Sequence, residues 1–243
     1  MVPSASPSGM LLFRGDRNGD AKVYRTDGLI TRLMKGGRPD VVEIAGQWEV
    51  SRAHVMPRTP GEERFLSQTP FLSFTEDRAK AERYALGRQS NMRLEPSHKM
   101  APEDTLLFTL RVDGMRSDGH DGVFVLDYNC DYSQIWAYPA ADDYINQAGN
   151  SSCEFCAPSN VVVAGEERID GKGRRLHRIR LVRVAQFLRS GGLRSRYAGA
   201  IRQAERDREW LIYPMDYIQR LKGYSARVPP SRIWSVEWFK VVA

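Results

Sequence analysis

The feature that most constrains the fold is a succession of short apolar runs, each cut off by a turn signal, with one clear run of helix formers among them. Met10 to Phe13 is apolar, ends at Arg14 and runs into Gly15-Asp16, which reads as a buried strand entering a turn. Pro70 to Phe74, Thr105 to Val112, Val123 to Asp127, Trp210 to Tyr213 and the aromatic-rich Ile233 to Val242 read as further strands. Leu176 to Val184 alternates bases with Ile179, Leu181 and Val184, the pattern of a half-exposed strand. Asp27-Gly28, Gly36-Gly37 and Arg38-Pro39 mark turns and loops. Thr75 is a good N-cap, and Glu76 to Leu86 is rich in helix formers. Many short strands with few helices predict an α+β domain dominated by a bent or split sheet.

The 243 residues suffice for one large domain spanning 1–243. An irregular insertion is expected at about 115–170, because Asn129 to Asn160 is rich in turn residues and Tyr and carries all three cysteines. Three cysteines cannot form a full disulfide framework, which agrees with a reducing compartment. No apolar run approaches the roughly 20 residues that span a bilayer. Met1 to Gly9 is rich in Ser and Pro, without the basic start and apolar core of a signal peptide. The expectation is a soluble, cytoplasmic protein, with delivery into another cell left open.

The net charge of +6 is unevenly spread. From Ser117 to Glu167 there are nine acids and no Lys or Arg; from Gly171 to Ala204 there are ten bases and no acid. Such asymmetry creates a positive field that can attract an anionic partner. It also fits two segments that face each other across the fold.

Three places carry chemistry. An arginine ending an apolar strand, as in Leu11-Leu12-Phe13-Arg14-Gly15-Asp16, needs an anionic partner, and its guanidinium fork suits phosphate or carboxylate. The hydroxyls of Ser73 and Thr75 close the strand Pro70 to Phe74, where they can hold a ligand or a catalytic carboxylate, or simply cap the helix. Asp207-Arg208-Glu209 precedes the apolar Trp210-Leu211-Ile212-Tyr213. A carboxylate at that rim is partly desolvated, which strengthens its field and hydrogen bonds.

In this order the three motifs resemble the ADP-ribosyltransferase superfamily, in its arginine–serine–glutamate branch of cholera-toxin-like and pierisin-like enzymes. The first strand of that branch reads leucine, aromatic, arginine, any residue, aspartate, here Leu12-Phe13-Arg14-Gly15-Asp16, and Asp27-Gly28-Leu29 matches the turn that follows. Phe71-Leu72-Ser73-Phe74-Thr75 matches the aromatic-x-Ser-Thr-Ser motif except at its middle position. Asp207-Arg208-Glu209-Trp210-Leu211-Ile212 matches the glutamate motif, and Val228 to Trp234 is similar to the terminal segment of cholera-toxin-like enzymes. The likeness touches roughly 1–86 and 205–243 and leaves the middle of the chain unexplained.

The resemblance implies an ADP-ribosyltransferase-like split, bent β-sheet core with flanking helices, and NAD as substrate with no metal needed for catalysis. It implies that Arg14 binds the NAD phosphates and that Gly15 lets the backbone approach them. Asp16 would position Arg14 or the adenosine ribose. Ser73, supported by Thr75, would brace Glu209, whose carboxylate would stabilise the oxocarbenium-like state as the C–N bond breaks. Phe74 would stack on nicotinamide. His54 lies where cholera-toxin-like enzymes place a histidine near the nicotinamide, and also reads as a satisfied structural histidine.

The acceptor is nucleic acid (DNA or RNA), protein or, in a plain NAD glycohydrolase, water. The branch selects its acceptor partly through the residue two before the glutamate, and Asp207 is neither of the usual choices there. Arg194, Arg196 and Tyr197, in the basic stretch that runs into this motif, are further acceptor-binding candidates, with Phe187 beside them. Many relatives are toxins or effectors, so an antitoxin or immunity partner is expected; no membrane is. Cys153-x-x-Cys156 has the spacing of half a zinc site, which Cys130 and His120 or His177 could complete; plain thiols are the alternative. Asp118 to Gly122 reads as a hard-cation loop or as a turn. A competing reading from another class is a non-catalytic nucleic-acid-binding module.

Overall fold

The computed structural model describes residues 9–16, 29–32, 47–67, 69, 71–87, 91–98, 104–112, 114–117, 119, 121–129, 155–157, 161–163, 166–169, 175–192, 194–213, 224–225, 227–228 and 233–243. The first strands and helices are β1 (Met10–Asp16), β2 (Leu29–Ile30), α1 (Gln47–Val55), α2 (Pro60–Ser67), β3 (Leu72–Thr75) and α3 (Arg78–Leu86). Then come β4 (Arg93–Pro96), β5 (Thr105–Val112), β6 (Arg116–Ser117), β7 (Val123–Asn129), β8 (Phe155–Ala157), β9 (Val161–Val163), β10 (Glu166–Ile169) and β11 (Arg175–Arg183). The chain continues with α4 (Val184–Ser190), α5 (Arg194–Asp207), β12 (Glu209–Tyr213), β13 (Tyr224–Ser225), β14 (Arg227–Val228) and β15 (Ile233–Val242). The α+β expectation is met by a ten-stranded antiparallel sheet and five helices among the described residues.

The sheet runs β4-β15-β5-β1-β3-β12-β11-β7-β6, with β10 on β11. It has a seam. β1 pairs with β5 along its whole length, Met10 to Asp16, and β3 pairs with β12 from Leu72 to Thr75. Between β1 and β3 there is one register pair, Phe13 with Thr75. Two well-paired halves therefore meet at a point and leave room where they part.

Alternation across the strands sorts the side chains. On one face Leu72 and Phe74 of β3 and Trp210 and Ile212 of β12 join Leu12, Leu106, Phe108 and Leu110 in the larger apolar core. On the other face Leu211 packs with Val50, Phe71, Phe187, Leu188, Ala200 and Ala204 under α1, α4 and α5. Ser73, Thr75 and Glu209 fall by the same alternation on the helix-covered face. The site is thus set by strand register.

Several expectations change. Four of the five helices are absent from the sequence reading. Thr75 is not the cap of α3: Asp77 is, its side chain accepting from Lys80 N. The Thr75 hydroxyl accepts from Asp77 N at 3.0 Å and donates to the Asp207 carbonyl at 2.5 Å, tying β3 to the end of α5. Within the stretch expected as an insertion, about 115–170, β7 pairs with β11 from Leu176 to Val182 and β10 pairs with it from Arg175 to Arg178. Both belong to the main sheet. β11 is an interior strand, with Leu181 and Val182 fully buried. No helix among the described residues is long and apolar enough to cross a membrane.

Candidate active site

The site grows from the junction of α5 and β12. The helix ends at Asp207, the strand begins at Glu209, and the single residue between them, Arg208, takes a φ of 47°. A left-handed non-glycine residue costs on the order of 1 kcal/mol. It is held there by two backbone hydrogen bonds: Arg208 N donates to Glu205 O at 3.1 Å, and Glu76 N donates to Arg208 O at 3.3 Å. The sharp turn sends two carboxyls, two residues apart, into one cavity.

That cavity has a volume of about 650 Å³ and opens where β1 and β3 part. Arg14, Gly15, Asp16, Ser73, Phe74, Thr75, Asp207, Glu209 and His54 all line it, so the three distant motifs meet in space. Arg32, Thr69, Tyr84 and Gln203 also line it.

The two carboxyls differ. Asp207 sits at a helix C-terminus, where the backbone dipole disfavours an anion. It is 5% exposed, and three donors compensate: Tyr84 Oη at 3.0 Å, Gln203 Nε2, and Lys80 Nζ at 3.4 Å. Glu209 has less support. Burial first, and then the charge of Asp207, pushes its carboxyl up to about 8, against the pull of a hydrogen bond from Ser73.

Ser73 ends a hydrogen-bonded relay. Phe71 N donates to Thr69 Oγ1 at 3.2 Å, Thr69 Oγ1 lies 3.0 Å from His54 Nδ1, and His54 Nε2 lies 2.6 Å from Ser73 Oγ. Burial, then the positive fields of Arg14 and Arg32, pushes His54 down to about 3, so its ring is neutral near pH 7. One assignment spends every proton. Thr69 accepts from Phe71 and donates to Nδ1; Nε2–H donates to Ser73; Ser73 donates to Glu209. His54 is thus both satisfied and at the site.

Arg14 closes the seam. Its Nη1 donates to the Ser73 carbonyl at 2.9 Å. Its Nε is buried with no hydrogen-bond partner, although the residue as a whole stays partly exposed. Burial pushes its pKa down, the Asp16 carboxylate opposes this, and Arg32 adds to it. Two arginines therefore face one cavity, and one has a donor to spare.

No family model, curated protein or solved structure matches this chain.

Not every expected residue takes its expected place. Phe74 borders the cavity, but its ring is 2% exposed and belongs to the larger core, so it cannot be a stacking surface. A side chain at Gly15 would strike Ala81 O at 2.2 Å and Ala85 Cβ at 2.7 Å, so close packing of α3 requires this glycine. Tyr197 and Phe187 are buried under the helices and offer no ring to a nucleic acid. Arg196 Nε pairs with Glu49 at 2.7 Å, away from the cavity, and the Arg194 side chain lies outside the described residues. So do Cys130, Cys153, Asp118 and His120, as well as the side chains of Cys156 and His177. Gly119 and Gly122 both take left-handed φ values, as a turn into β7 requires. Among the described residues no group of three or more His, Cys, Asp or Glu could hold a metal ion.

Thr69, Arg32, Tyr84 and Gln203 escape the sequence reading. Gln203 and Asp207 are one helical turn apart on α5, a spacing that could have flagged the pair. Tyr84 lies three residues past Ala81, beside the buried face of α3, and Thr69 needs the tertiary contact with α1 to acquire meaning.

Proposed function

We propose that the protein is a mono-ADP-ribosyltransferase that cleaves NAD, releases nicotinamide and transfers ADP-ribose to a macromolecular acceptor. The observation that carries this reading is the convergence of Arg14, Ser73 and Glu209 on one cavity, in the roles that the resemblance to the arginine–serine–glutamate branch implies.

The residues fit the substrate. Arg14 has a buried, unpartnered Nε beside a second arginine, Arg32, which suits a diphosphate better than a neutral ligand. A cavity of about 650 Å³ lies within the range of ligand sites.

Bound NAD supplies a cationic pyridinium leaving group attached to a ribose carbon. Its C–N bond breaks with the electron pair going to the ring nitrogen, and the acceptor forms the new bond and gives up a proton. Glu209 answers that chemistry. A carboxyl destabilised by burial and by Asp207 gains most when positive charge arrives, and that charge is greatest as the bond breaks. Ser73, His54 and Thr69 hold the carboxylate through a relay whose protons all point toward it.

Glu209→Gln keeps size and hydrogen bonding but can never take up the negative charge. NAD turnover should fall by about 10³-fold, the scale for loss of a preorganised charge-stabilising group, while circular dichroism stays native. If Glu209→Gln released nicotinamide at the wild-type rate in a lysate containing the natural acceptor, the assignment would be wrong.

A further inference from the structure

We propose that the mouth of this cavity is an acceptor platform for an unpaired base of single-stranded nucleic acid, with the Tyr84 ring as the stacking surface and Arg202, Arg206 and Arg208 as phosphate contacts. The proposal rests on the transferase reading and names its acceptor class.

The first observation is that Asp207 is spent. Its carboxylate meets Tyr84 Oη, Gln203 Nε2 and Lys80 Nζ, so it has little capacity left to hold a cationic acceptor such as a guanidinium. The anion nearest Glu209 is occupied, and the groups occupying it include a cation.

The second is Tyr84. It is 57% exposed although it is a large aromatic lining the cavity. Its hydroxyl is anchored on Asp207 at 3.0 Å, so the ring is held in place while its surface stays open. Burial of the hydroxyl and the charges of Glu209 and Asp207 push its pKa well above the ordinary range, so it remains a donor. A pre-ordered ring loses little freedom when a planar group stacks on it. A base outside its duplex offers such a ring a free π-face to stack on.

The third is the distribution of unpaired cations. Arg189 pairs with Glu205, Arg196 with Glu49, and Arg78 with Glu237 and Glu82. Arg202 and Arg206 lie one turn apart on α5, both exposed, and have no acid partner among the described residues. Arg206 Nη2 donates to Gln203 Oε1, which leaves its charge uncompensated, and like charges at that spacing destabilise a helix slightly. Arg206 acts electrostatically on Tyr84, and exposed Arg208 occupies the turn directly before Glu209. The three cations alternate along the chain with Gln203, Asp207 and Glu209, which line the cavity.

The test measures anisotropy of fluorescein-labelled single-stranded DNA and RNA of about ten nucleotides, without NAD, across about 50–200 mM salt. Tyr84→Ala should weaken binding about tenfold, and Tyr84→Phe, which keeps the ring, about twofold. The Arg202→Gln/Arg206→Gln double variant should make the slope of log affinity against log salt shallower by about 1.4. No binding, or equal binding by wild type and Tyr84→Ala, overturns the proposal. Labelled NAD then separates the two readings. Label entering protein but neither DNA nor RNA overturns the platform and leaves the transferase standing. Tyr84-dependent binding without NAD turnover on any acceptor leaves the platform as a binding site and overturns the transferase.

Discussion

Helix α1 contributes to two buried polar clusters built on opposite logic. Arg52, 3% exposed, is matched on every side: its guanidinium meets Glu49 at 3.0 Å and Glu62, and donates to Met56 O at 3.0 Å. The hydrogen bond to Glu62 dominates and holds the Arg52 pKa above its ordinary value, while Glu62 is held below its own. Two residues later, His54 enters the cluster of Arg14, Asp207 and Glu209, where every perturbation runs the other way. Arg14 and His54 are pushed down and Glu209 is pushed up, each mainly by burial. The first cluster fastens α1 to α2. The second holds three groups whose charged forms burial disfavours, a pattern common at functional sites.

Removing a charge from each cluster should break the symmetry. Arg52→Gln leaves Glu62 without its cation and Glu49 with Arg196 alone. Loss of one partner from a buried ion pair costs about 3–5 kcal/mol, so urea denaturation should show a large drop in midpoint. Arg14→Gln removes a desolvated cation whose Nη1 donates to a backbone carbonyl. Its stability should change by less than about 1 kcal/mol, while NAD affinity is lost. Equal destabilisation by the two variants would mean that both clusters are structural.

A smaller effect sharpens the contrast through pH. Glu209 has an ordinary value of 4.5 and a folded value of about 8. Between these the folded protein keeps a proton that the unfolded chain has lost, so stability falls as pH rises from about 4.5 to 8. His54 has the opposite sign. Its folded value of about 3 lies below its ordinary 6.5, so stability falls as pH drops from 6.5 toward 3. Glu209→Gln removes the first slope only. It should be on the order of a few kcal/mol more stable than wild type at pH 8 and nearly equal to it at pH 4.5. Thermal denaturation at the two pH values checks this, and a gain that does not depend on pH would argue against a strained carboxyl.

The same contrast decides what could be read in the chain. Apolar strands announced themselves, because Leu12, Leu72, Trp210 and Ile212 alternate or run together and end at charges or turns. The three motifs stood at strand ends, where a polar residue against an apolar run is conspicuous. The helices were hidden for two reasons. In α1 the buried face includes Ser51, Arg52 and His54 beside Val50 and Ala53, so no apolar stripe shows. In α5 the buried stripe of Tyr197, Ala200, Ile201 and Ala204 is half alanine, set within a run that reads as charge. Polar groups that point inward disguise a helix, and they build both clusters. The alternation that turns Ser73 toward the cavity turns the Phe74 side chain into the larger core.

The finest test concerns a residue with no charge. Thr69 accepts from Phe71 N and therefore has a proton to give, and His54 Nδ1 is 3.0 Å away. Thr69→Val keeps the shape and removes the donor. His54 can then carry its proton on Nδ1, Nε2 becomes an acceptor, and Ser73 turns its hydroxyl toward the ring and away from Glu209. The carboxylate loses a hydrogen bond just as positive charge develops beside it. Turnover should fall about tenfold, the lower end of the scale for groups acting through a neighbour, and Thr69→Ser should restore it. Nitrogen chemical shifts of His54 give a readout that mere destabilisation would not move, since wild type should hold the proton on Nε2 and Thr69→Val should not. If the valine variant keeps both the Nε2–H form and the wild-type rate, Ser73 is oriented by something other than this relay.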